Sequence, residues 1–179
     1  AALLFTIATL SAALPGAGGA DTSYQMQVAI DLGGEGKAIS PYIYGINQSG
    51  NQDNYNKFTV NAIRQGGNRF TGYNWETNAS NAGADWQHYS DNYLSDSSDP
   101  ADCVQTLSRE ATANGIGYKL ATLQLAGYVA ADKNGSVSEA ETAPSDRWNQ
   151  VVLTKGSAFA DTPDLTDGNV YMDEYVHYI

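Results

Sequence analysis

Apolar and polar residues alternate near the start of the chain, between Tyr24 and Leu32. The apolar positions of this alternation are Tyr24, Met26, Val28, Ile30 and Leu32. A period of two is typical of a half-buried β-strand. Two further strands are predicted over Ser40–Asn47 and Ala62–Gln65. Residues 51–61 between them are polar and show no clear period.

A helix is predicted to begin at Asp99-Pro100, because aspartate is a favoured N-cap and proline fits the first helical position. The apolar residues that then recur at helical spacing are Val104, Leu107 and Ala111. Gly115 suits the position just past the end of this helix. Tyr118–Leu125 follows as a predicted strand. The order of strand, loop, helix and strand indicates a βαβ unit and a parallel sheet.

The C-terminal third has weaker patterns. Ala126–Thr166 is predicted to be mostly irregular. The residues predicted to share one face of a final helix are Tyr171, Tyr175, Val176 and Ile179. No glycine, proline or capping residue ends this pattern, so the complete protein is expected to continue beyond Ile179. The chain is also shorter than the roughly 250 residues of a complete (β/α)8 barrel.

Residues 1–20 resemble a secretory signal peptide. An apolar run reaches Leu14, Pro15 ends it, and small residues follow, with Gly18 and Ala20 fitting a cleavage site. The run is too short to cross a bilayer. Because the charged residues that normally precede such a run are missing, the sequence is expected to be truncated at this end. We therefore expect a secreted, extracellular protein.

Composition narrows the possible partners. With 9 basic and 20 acidic residues the formal charge is -11, which argues against nucleic acid, whose binding needs clustered lysine and arginine. An uncharged polysaccharide is compatible with this charge. The single cysteine, Cys103, excludes an intrachain disulfide and is expected to be a small buried residue. His88 and His177 have no histidine or cysteine at ligand spacing, so no zinc site is expected.

Arg64–Trp86, RQGGNRFTGYNWETNASNAGADW, carries the densest chemistry of the chain. Aromatic rings, side-chain amides, a guanidinium and carboxylates are interleaved with glycines. The apolar residues follow neither a strand nor a helix period. The segment is therefore interpreted as a loop that presents polar and aromatic groups to a sugar.

The predicted substrate-binding residues combine amides, aromatic rings and charged groups. They are Asn47, Arg69, Tyr73, Trp75, Glu76, Trp86 and Gln124. Asn47 follows a predicted strand, as a ligand-binding residue of a barrel should. Arg69 has two open interpretations, a loop-fixing ion pair or a donor near the catalytic carboxylates. Trp75 and Trp86 each have two interpretations, a platform on which a sugar stacks or a core residue. Gln124 also has two, a contact with substrate or a buried amide bonded to backbone.

Sugar hydrolysis normally needs two carboxylates on either side of the scissile bond. Glu76 and Asp85 are candidates within the dense segment, but neither directly follows a predicted strand. A role for Glu76 in binding sugar hydroxyls or in fixing Arg69 is favoured. No cofactor is expected. Residues 132–141 resemble a loop for a structural calcium ion, yet they lack the full spacing of oxygen ligands, and a solvated turn is preferred.

The chain resembles glycoside hydrolase family 44, a family of endoglucanases and xyloglucanases. The stretches that carry the resemblance, in the family's order, are ISPYIYGIN (Ile39–Asn47), RQGGNRFTGYNWETNASNAGADW (Arg64–Trp86), ATLQLAGYV (Ala121–Val129), VSEAETAPSDRW (Val137–Trp148) and VYMDEYVHYI (Val170–Ile179). The block from Asn68 to Glu76 is the most specific of them.

The resemblance implies a domain order and a reaction. Residues 21–38 would supply a strand of an accessory β-sandwich, and residues 39–179 the first part of a (β/α)8 TIM-like barrel. The reaction would be retaining hydrolysis of β-1,4-glucans such as cellulose-type glucans, xyloglucan or related hemicelluloses. The family's acid/base glutamate lies in an Asn-Glu-Pro sequence that this chain lacks, and its nucleophile comes later. The chain is therefore expected to bind substrate but to lack both catalytic glutamates.

Two rival interpretations remain. A non-catalytic carbohydrate-binding protein would also carry aromatic and amide side chains on loops, although the predicted helix and βαβ order oppose the usual β-sandwich of such modules. A structural secreted protein gives no reason for so many aromatic and amide groups in one aperiodic segment. The expected partner is a polysaccharide, without nucleic acid or membrane, and the expected state is a monomer.

Overall fold

The computed structural model describes Val28, residues 36–48 and residues 52–179. The chain divides into two compact units, Ala1–Ile39 and Ser40–Ile179. In the first unit, Val28 is exposed and outside any strand. The predicted signal peptide over residues 1–20 and the rest of the predicted Tyr24–Leu32 strand lie outside the described residues. All the described helices and strands belong to the second unit.

The second unit combines short helices with short strands. Its described α-helices are α1 (Gln52–Lys57), α2 (Asn68–Thr71), α3 (Asp102–Ala113) and α4 (Met172–Tyr178). Its described strands are β1 (Gly45–Asn47), β2 (Ala62–Arg64), β3 (Ser80–Asn81), β4 (Tyr89–Asp91), β5 (Tyr118–Leu120), β6 (Tyr128–Ala130), β7 (Gly135–Ser136), β8 (Trp148–Val152) and β9 (Asn169–Tyr171). The mixed α/β class is thus confirmed.

The predicted parallel sheet is present, with strand order β1-β2-β5 and parallel pairing throughout. Its strands are shorter than the sequence predicts. Pro41–Ile43 forms a 3-10 turn ahead of β1, because the Ser40 hydroxyl accepts a hydrogen bond from the Tyr42 N–H and caps it. The predicted strand Tyr118–Leu125 ends at Leu120.

Helix α3 crosses between β2 and β5 as the βαβ pattern predicts, but its first residue is Asp102 rather than Pro100, and its N-cap is Ala101 rather than Asp99. The Asp99 carbonyl accepts a hydrogen bond from Asn78 Nδ2 (2.7 Å), and the Ala101 N–H donates to the Trp75 carbonyl (2.6 Å). These long-range bonds hold Asp99–Ala101 outside the helix. Its end is as predicted, since Gly115 has φ +68° and the Ile116 N–H bonds back to Ala111.

Two further sheets are present, and Ala126–Thr166 is mostly irregular as predicted, with only β6, β7, β8 and a 3-10 turn over Glu139–Glu141 as regular elements. β3, β4 and β7 form one antiparallel sheet. In the other, β8 pairs antiparallel with β6 and parallel with β9. The sequence pattern missed these strands because most have two or three residues, too few for a period of two to be recognised.

Two hydrophobic clusters hold the unit together. In the smaller cluster, α3 packs on the parallel sheet through Leu107, Ala111 and Ile63. The larger cluster, here called the main core, has these buried members: Phe70, Tyr73, Trp75, Ala101, Cys103, Val104, Val129, Val170, Met172 and Tyr175. Helix α4 contributes Met172 and Tyr175 to it. Val176 and Ile179, predicted to share one face of this helix with Tyr175, are exposed.

The parallel sheet has one covered and one open face. Ile46, Ile63 and Lys119 point toward α3, where Lys119 Nζ donates to hydroxyls of Ser108 and Thr112. The alternate residues form the opposite side, defined as the open face: Gly45, Asn47, Ala62, Arg64, Tyr118 and Leu120. All of them except Ala62 are exposed. Parallel sheets are ordinarily covered on both faces.

Candidate functional site

A cleft of about 380 Å³, here called the strand-end cleft, lies where β1 and β2 end. Its lining residues are Asn47, Gln48, Arg64, Gln65, Gly66, Phe70, Tyr93, Leu94, Cys103, Thr106 and Glu110. In α/β proteins, ligands bind outside the carboxyl ends of parallel strands. The position of the cleft therefore makes it the candidate site.

A pair of polar side chains stands on the open face at the rim of this cleft. The β1–β2 register places Asn47 opposite Arg64, and Arg64 Nε donates to Asn47 Oδ1 at 2.6 Å. The Nη donors of Arg64 have no partner among the described residues. A Cβ on Gly66 would lie 2.8 Å from Arg64 Cζ, so glycine leaves this space to the guanidinium. The pair offers hydrogen-bond donors to a ligand from a fixed position.

An amide pair forms the floor of the cleft. Gln65 is buried, and its Nε2 donates to Gln48 Oε1 (3.1 Å) and to the Cys103 carbonyl. Gln65 Oε1 is buried without a hydrogen-bond partner in the described part of the chain. An unpaired buried acceptor lowers stability. Burial raises the pKa of the Cys103 thiol to about 12, which agrees with the predicted inert, buried cysteine.

Only one carboxylate, Glu110, occurs among the described residues that line the cleft. Glu110 lies on α3, and its Oε2 accepts a hydrogen bond from the Tyr55 hydroxyl at 2.9 Å. Glycosidic hydrolysis by the usual mechanism needs two carboxyl groups facing each other across the bond. The lining residues can therefore bind a sugar, but they do not form a catalytic pair.

Of the predicted binding residues, Asn47 lines the cleft and Arg69 lies behind it. The Arg69 side chain is only 19% exposed, forms an ion pair with Asp91 and donates to Ser80 Oγ at 3.2 Å. Its guanidinium lies 4.3 Å from the ring centroid of Tyr93, which lines the cleft. Of the two interpretations left open for Arg69, the structural ion pair is the one present.

Tyr73 and Trp75 are core residues, so the prediction that they contact substrate is wrong. Both are fully buried in the main core. The Tyr73 hydroxyl donates to Asn78 Oδ1 (2.6 Å), and burial raises the pKa of this phenol. The Trp75 indole stacks on Tyr175 with ring centroids 5.4 Å apart, and its N–H donates to the Tyr171 carbonyl. Neither ring has a surface on which a sugar could stack.

Gln124 is also buried. Of its two interpretations, the structure shows the amide that is bonded to backbone. Its Nε2 donates to the carbonyls of Phe70 (3.0 Å) and Thr122 (3.1 Å). Asn74, Asn78 and Asn81 act in the same way, each donating from Nδ2 to backbone carbonyls of other segments. These amides replace the hydrogen bonds of regular secondary structure, which explains why an aperiodic segment can be buried.

Glu76 neither reaches the cleft nor fixes Arg69, so both predicted roles are wrong. Its carboxyl group is buried, and Oε2 has no hydrogen-bond partner among the described residues. Burial, assisted by the negative charges of Asp167 and Glu174, raises the pKa of Glu76 to about 8, against the opposing charge of Lys155. At neutral pH this carboxyl group is therefore largely protonated.

Trp86 is the most accessible of the predicted residues. It ends a 3-10 turn over Gly83–Trp86, is 62% exposed, and lies outside the residues that line the cleft. Its predicted contact with substrate stays a prediction. The Arg64–Trp86 segment as a whole is mainly a core segment and not the open loop that its aperiodic pattern indicates.

Asn47 is the one described lining residue that was predicted as a binding residue, and the missed ones include Gln48, Arg64, Gln65 and Tyr93. Arg64 and Gln65 could have been found, because they end a correctly predicted strand. Gln48 follows Asn47 and could have been found by the same rule. Tyr93 carries no such signal, since it lies in a loop after β4 and reaches the cleft only through tertiary contacts.

In residues 132–141, which resemble a calcium loop, the carboxylates of Asp132 and Glu141 are bonded to an arginine side chain. Arg147 donates to both Asp132 oxygens (2.6 and 3.1 Å) and to Glu141 Oε1 (3.2 Å). The Glu141 side chain also accepts from the Ser138 N–H, which lowers the pKa of Glu141. No group of three or more histidine, cysteine, aspartate or glutamate side chains within the described residues is arranged to bind a metal ion.

The helices of the described part of the chain are all too short or too polar to cross a membrane.

Comparison with known proteins identifies similar sequences. The family model of glycoside hydrolase family 44 matches residues 79–179. Endoglucanase A of Paenibacillus lautus is 47% identical over 160 residues, covering 84% of this chain and 22% of that protein. A β-mannanase/endoglucanase A of Caldicellulosiruptor saccharolyticus is 44% identical over 162 residues, covering 86% of this chain and 12% of that protein.

Solved structures give the same result. A family 44 xyloglucanase of Paenibacillus polymyxa, solved with xyloglucan, is 52% identical with a TM-score of 0.73. A family 44 endoglucanase of Clostridium thermocellum is 53% identical with the same TM-score. Each match covers 79% of this chain and 28% of the solved one. The chain thus spans about a quarter of the solved relatives, and less of the curated ones.

Proposed function

The chain belongs to glycoside hydrolase family 44, and on this basis we propose that it forms the substrate-holding part of an endo-β-1,4-glucanase that acts on cellulose-type glucans or xyloglucan. The observation that carries the proposal is the Asn47–Arg64 pair at the strand-end cleft, whose Nη donors have no partner among the described residues. Sugar hydroxyls accept hydrogen bonds, so they can satisfy these guanidinium donors.

We propose that the parallel sheet is the first part of a (β/α)8 barrel. The open face supports this, because residues such as Tyr118 and Leu120 are exposed although parallel sheets are normally covered on both sides. In a barrel this face points inward and is filled by side chains of the other strands. Asn47 and Arg64 would then stand at the end of the barrel where active sites form.

The proposed reaction is retaining hydrolysis, with both catalytic carboxyl groups supplied by parts of the enzyme outside the strand-end cleft. Glu110 alone cannot act as both acid and nucleophile, which must face each other at about 5 Å. The chain by itself is therefore proposed to bind glucan without cleaving it. A purely non-catalytic carbohydrate-binding protein is the alternative, and it predicts that the complete protein, and not only this chain, is inactive.

Replacing Arg64 by alanine is expected to weaken binding of cellohexaose to the 179-residue chain by about ten- to a hundredfold, because hydrogen bonds from a charged group contribute roughly 1.5–3 kcal/mol. Isothermal titration calorimetry measures this change. The same preparation is expected to release no reducing sugar from carboxymethylcellulose or xyloglucan.

Arg109→Ala is the matched control, since the Arg109 side chain is exposed on α3 and lies outside the cleft. It is expected to leave the affinity unchanged. Equal affinities for Arg64→Ala and the unmodified chain would contradict the proposed binding site. Turnover by the chain that Glu76→Gln abolishes would contradict the proposed absence of a catalytic pair.

We further propose that the enzyme is secreted after removal of residues 1–20. The apolar run that ends at Pro15, followed by small residues, supports this proposal. N-terminal sequencing of the protein recovered from culture medium is the test, and a mature product that retains residues 1–20 would contradict it.

A further inference from the structure

We propose that Tyr93 is a sugar-stacking platform of the strand-end cleft, held in place from behind by Arg69. This inference rests on the proposed function and adds a residue and a contact to it. Tyr93 lines the cleft and is 74% exposed, the largest exposure of any aromatic ring there. The guanidinium of Arg69 lies 4.3 Å from the ring centroid. The cation covers one face of the ring and leaves the other to solvent.

A single carboxylate fixes both members of this pair. Asp91 Oδ1 accepts from the Arg69 guanidinium, from Ser80 Oγ (3.2 Å) and from the backbone N–H of Tyr93 (3.0 Å). Asp91 itself ends β4, where it is paired in register with Ser80 of β3. The ring, the cation behind it and the backbone that carries the ring are therefore tied to one sheet.

The contact with Arg69 and the bond from the Tyr93 N–H to Asp91 restrict the ring and its backbone. A restricted ring loses less conformational entropy when a ligand arrives. Its free face offers a flat apolar surface with a negative quadrupole. The C–H groups on one side of a glucosyl ring are apolar and weakly positive, so they match this face. The Asn47–Arg64 pair lines the same cleft and offers guanidinium donors to the hydroxyls at the edge of such a sugar.

The chemistry also selects among ligands. The cleft combines one open aromatic face with neutral amides and a guanidinium, and Glu110 is already bonded to Tyr55. A neutral β-1,4-linked glucan presents alternating apolar faces and hydroxyl edges that satisfy both kinds of group. In this role Arg69 contacts no sugar and acts as a positioning residue.

The experiment is calorimetric titration of the 179-residue chain with cellohexaose. Tyr93→Ala is expected to raise the dissociation constant about tenfold, whereas Tyr93→Phe keeps the ring and binds as the unmodified chain does. Phe58→Ala is the matched control, because Phe58 is an exposed aromatic residue outside the cleft and its loss should not change affinity.

Arg69→Met keeps an aliphatic stem and removes the cation. It is expected to weaken binding by a smaller factor, and the double variant Tyr93→Ala/Arg69→Met is expected to bind no worse than Tyr93→Ala alone. This non-additivity distinguishes positioning of the ring from a general loss of structure. Circular dichroism verifies that each variant folds.

The outcomes separate this inference from the proposed function. If Tyr93→Ala binds cellohexaose as tightly as the unmodified chain while Arg64→Ala does not, the platform is overturned and the proposed function stands. Additive losses in the double variant overturn the positioning role of Arg69. If the folded, unmodified chain binds no cellohexaose, the proposed binding site and the platform fall together.

Discussion

Replacing Trp75 by alanine is expected to lower the free energy of unfolding by about 3–5 kcal/mol, the usual cost of removing a large aromatic side chain from a core. Trp75 is fully buried, stacks on Tyr175 at an interplanar angle of 12°, and also contacts Tyr178. Its indole N–H donates to the Tyr171 carbonyl. The substitution removes the ring contacts of Trp75 with Tyr175 and Tyr178 of helix α4. Urea denaturation followed by circular dichroism measures the loss.

Trp86→Ala is the matched control for this prediction. Trp86 is 62% exposed, and surface substitutions of this kind usually change stability by less than about 0.5 kcal/mol. The two tryptophans lie 11 positions apart in one segment, so they differ in burial more than in sequence context. Equal losses for the two variants would contradict the assignment of Trp75 to the core.

The stability of the protein is expected to fall as the pH rises from 5 to 8, because Glu76 must ionise in a buried site. Its pKa is raised to about 8 from a usual value of 4.5, chiefly by burial. Between these values the unfolded chain has lost the proton while the folded chain retains it. Stability is therefore complete below about pH 4.5 and is lost progressively up to the folded pKa.

Glu76→Gln removes this dependence, since an amide has no proton to lose in this range. From pH 5 to pH 8 the unmodified chain is expected to lose on the order of 3–4 kcal/mol of unfolding free energy relative to Glu76→Gln. Urea denaturation at both pH values measures it. EDTA is included so that no divalent cation competes with the proton for the carboxyl group.

Glu141→Gln is the control, because the pKa of Glu141 is shifted in the opposite direction. Hydrogen bonds from Ser138 and Arg147 lower that pKa, so the stability contributed by Glu141 is lost only below the usual carboxyl range. Its effect is expected to be the same at pH 5 and pH 8. A Glu76→Gln effect that is equally constant would show that Glu76 ionises in the folded state as it does in the unfolded chain.

Local patterns in the sequence determined the βαβ unit. The helical spacing of Val104, Leu107 and Ala111 and the glycine after α3 depend on neighbours a few residues away, and the structure confirms both. The same patterns placed the start of the helix two residues too early. That boundary depends on bonds from Trp75 and Asn78, which no local signal contains.

The candidate site was only partly accessible from the sequence. Asn47 was found because it stands at the end of a strand, and Arg64 stands at the end of the next one. The opposition of the two side chains depends on the register between β1 and β2, which joins residues 17 positions apart. The role of Tyr93 is even harder to predict from the sequence, because its place in the cleft depends on the pairing of β3 with β4 and on Arg69.

The sequence by itself determined the family, through long specific stretches, and the class of the fold, through its short-range periodicity. Only the tertiary structure decided which side of the Arg64–Trp86 segment faces water. Its aromatic and amide groups are equally suited to binding sugars and to filling an irregular core. The same stacking and hydrogen bonding serve a sugar in one case and the protein backbone and core in the other. Burial is set by partners far along the chain, such as Tyr175 for Trp75 and Ala130 for Asn74.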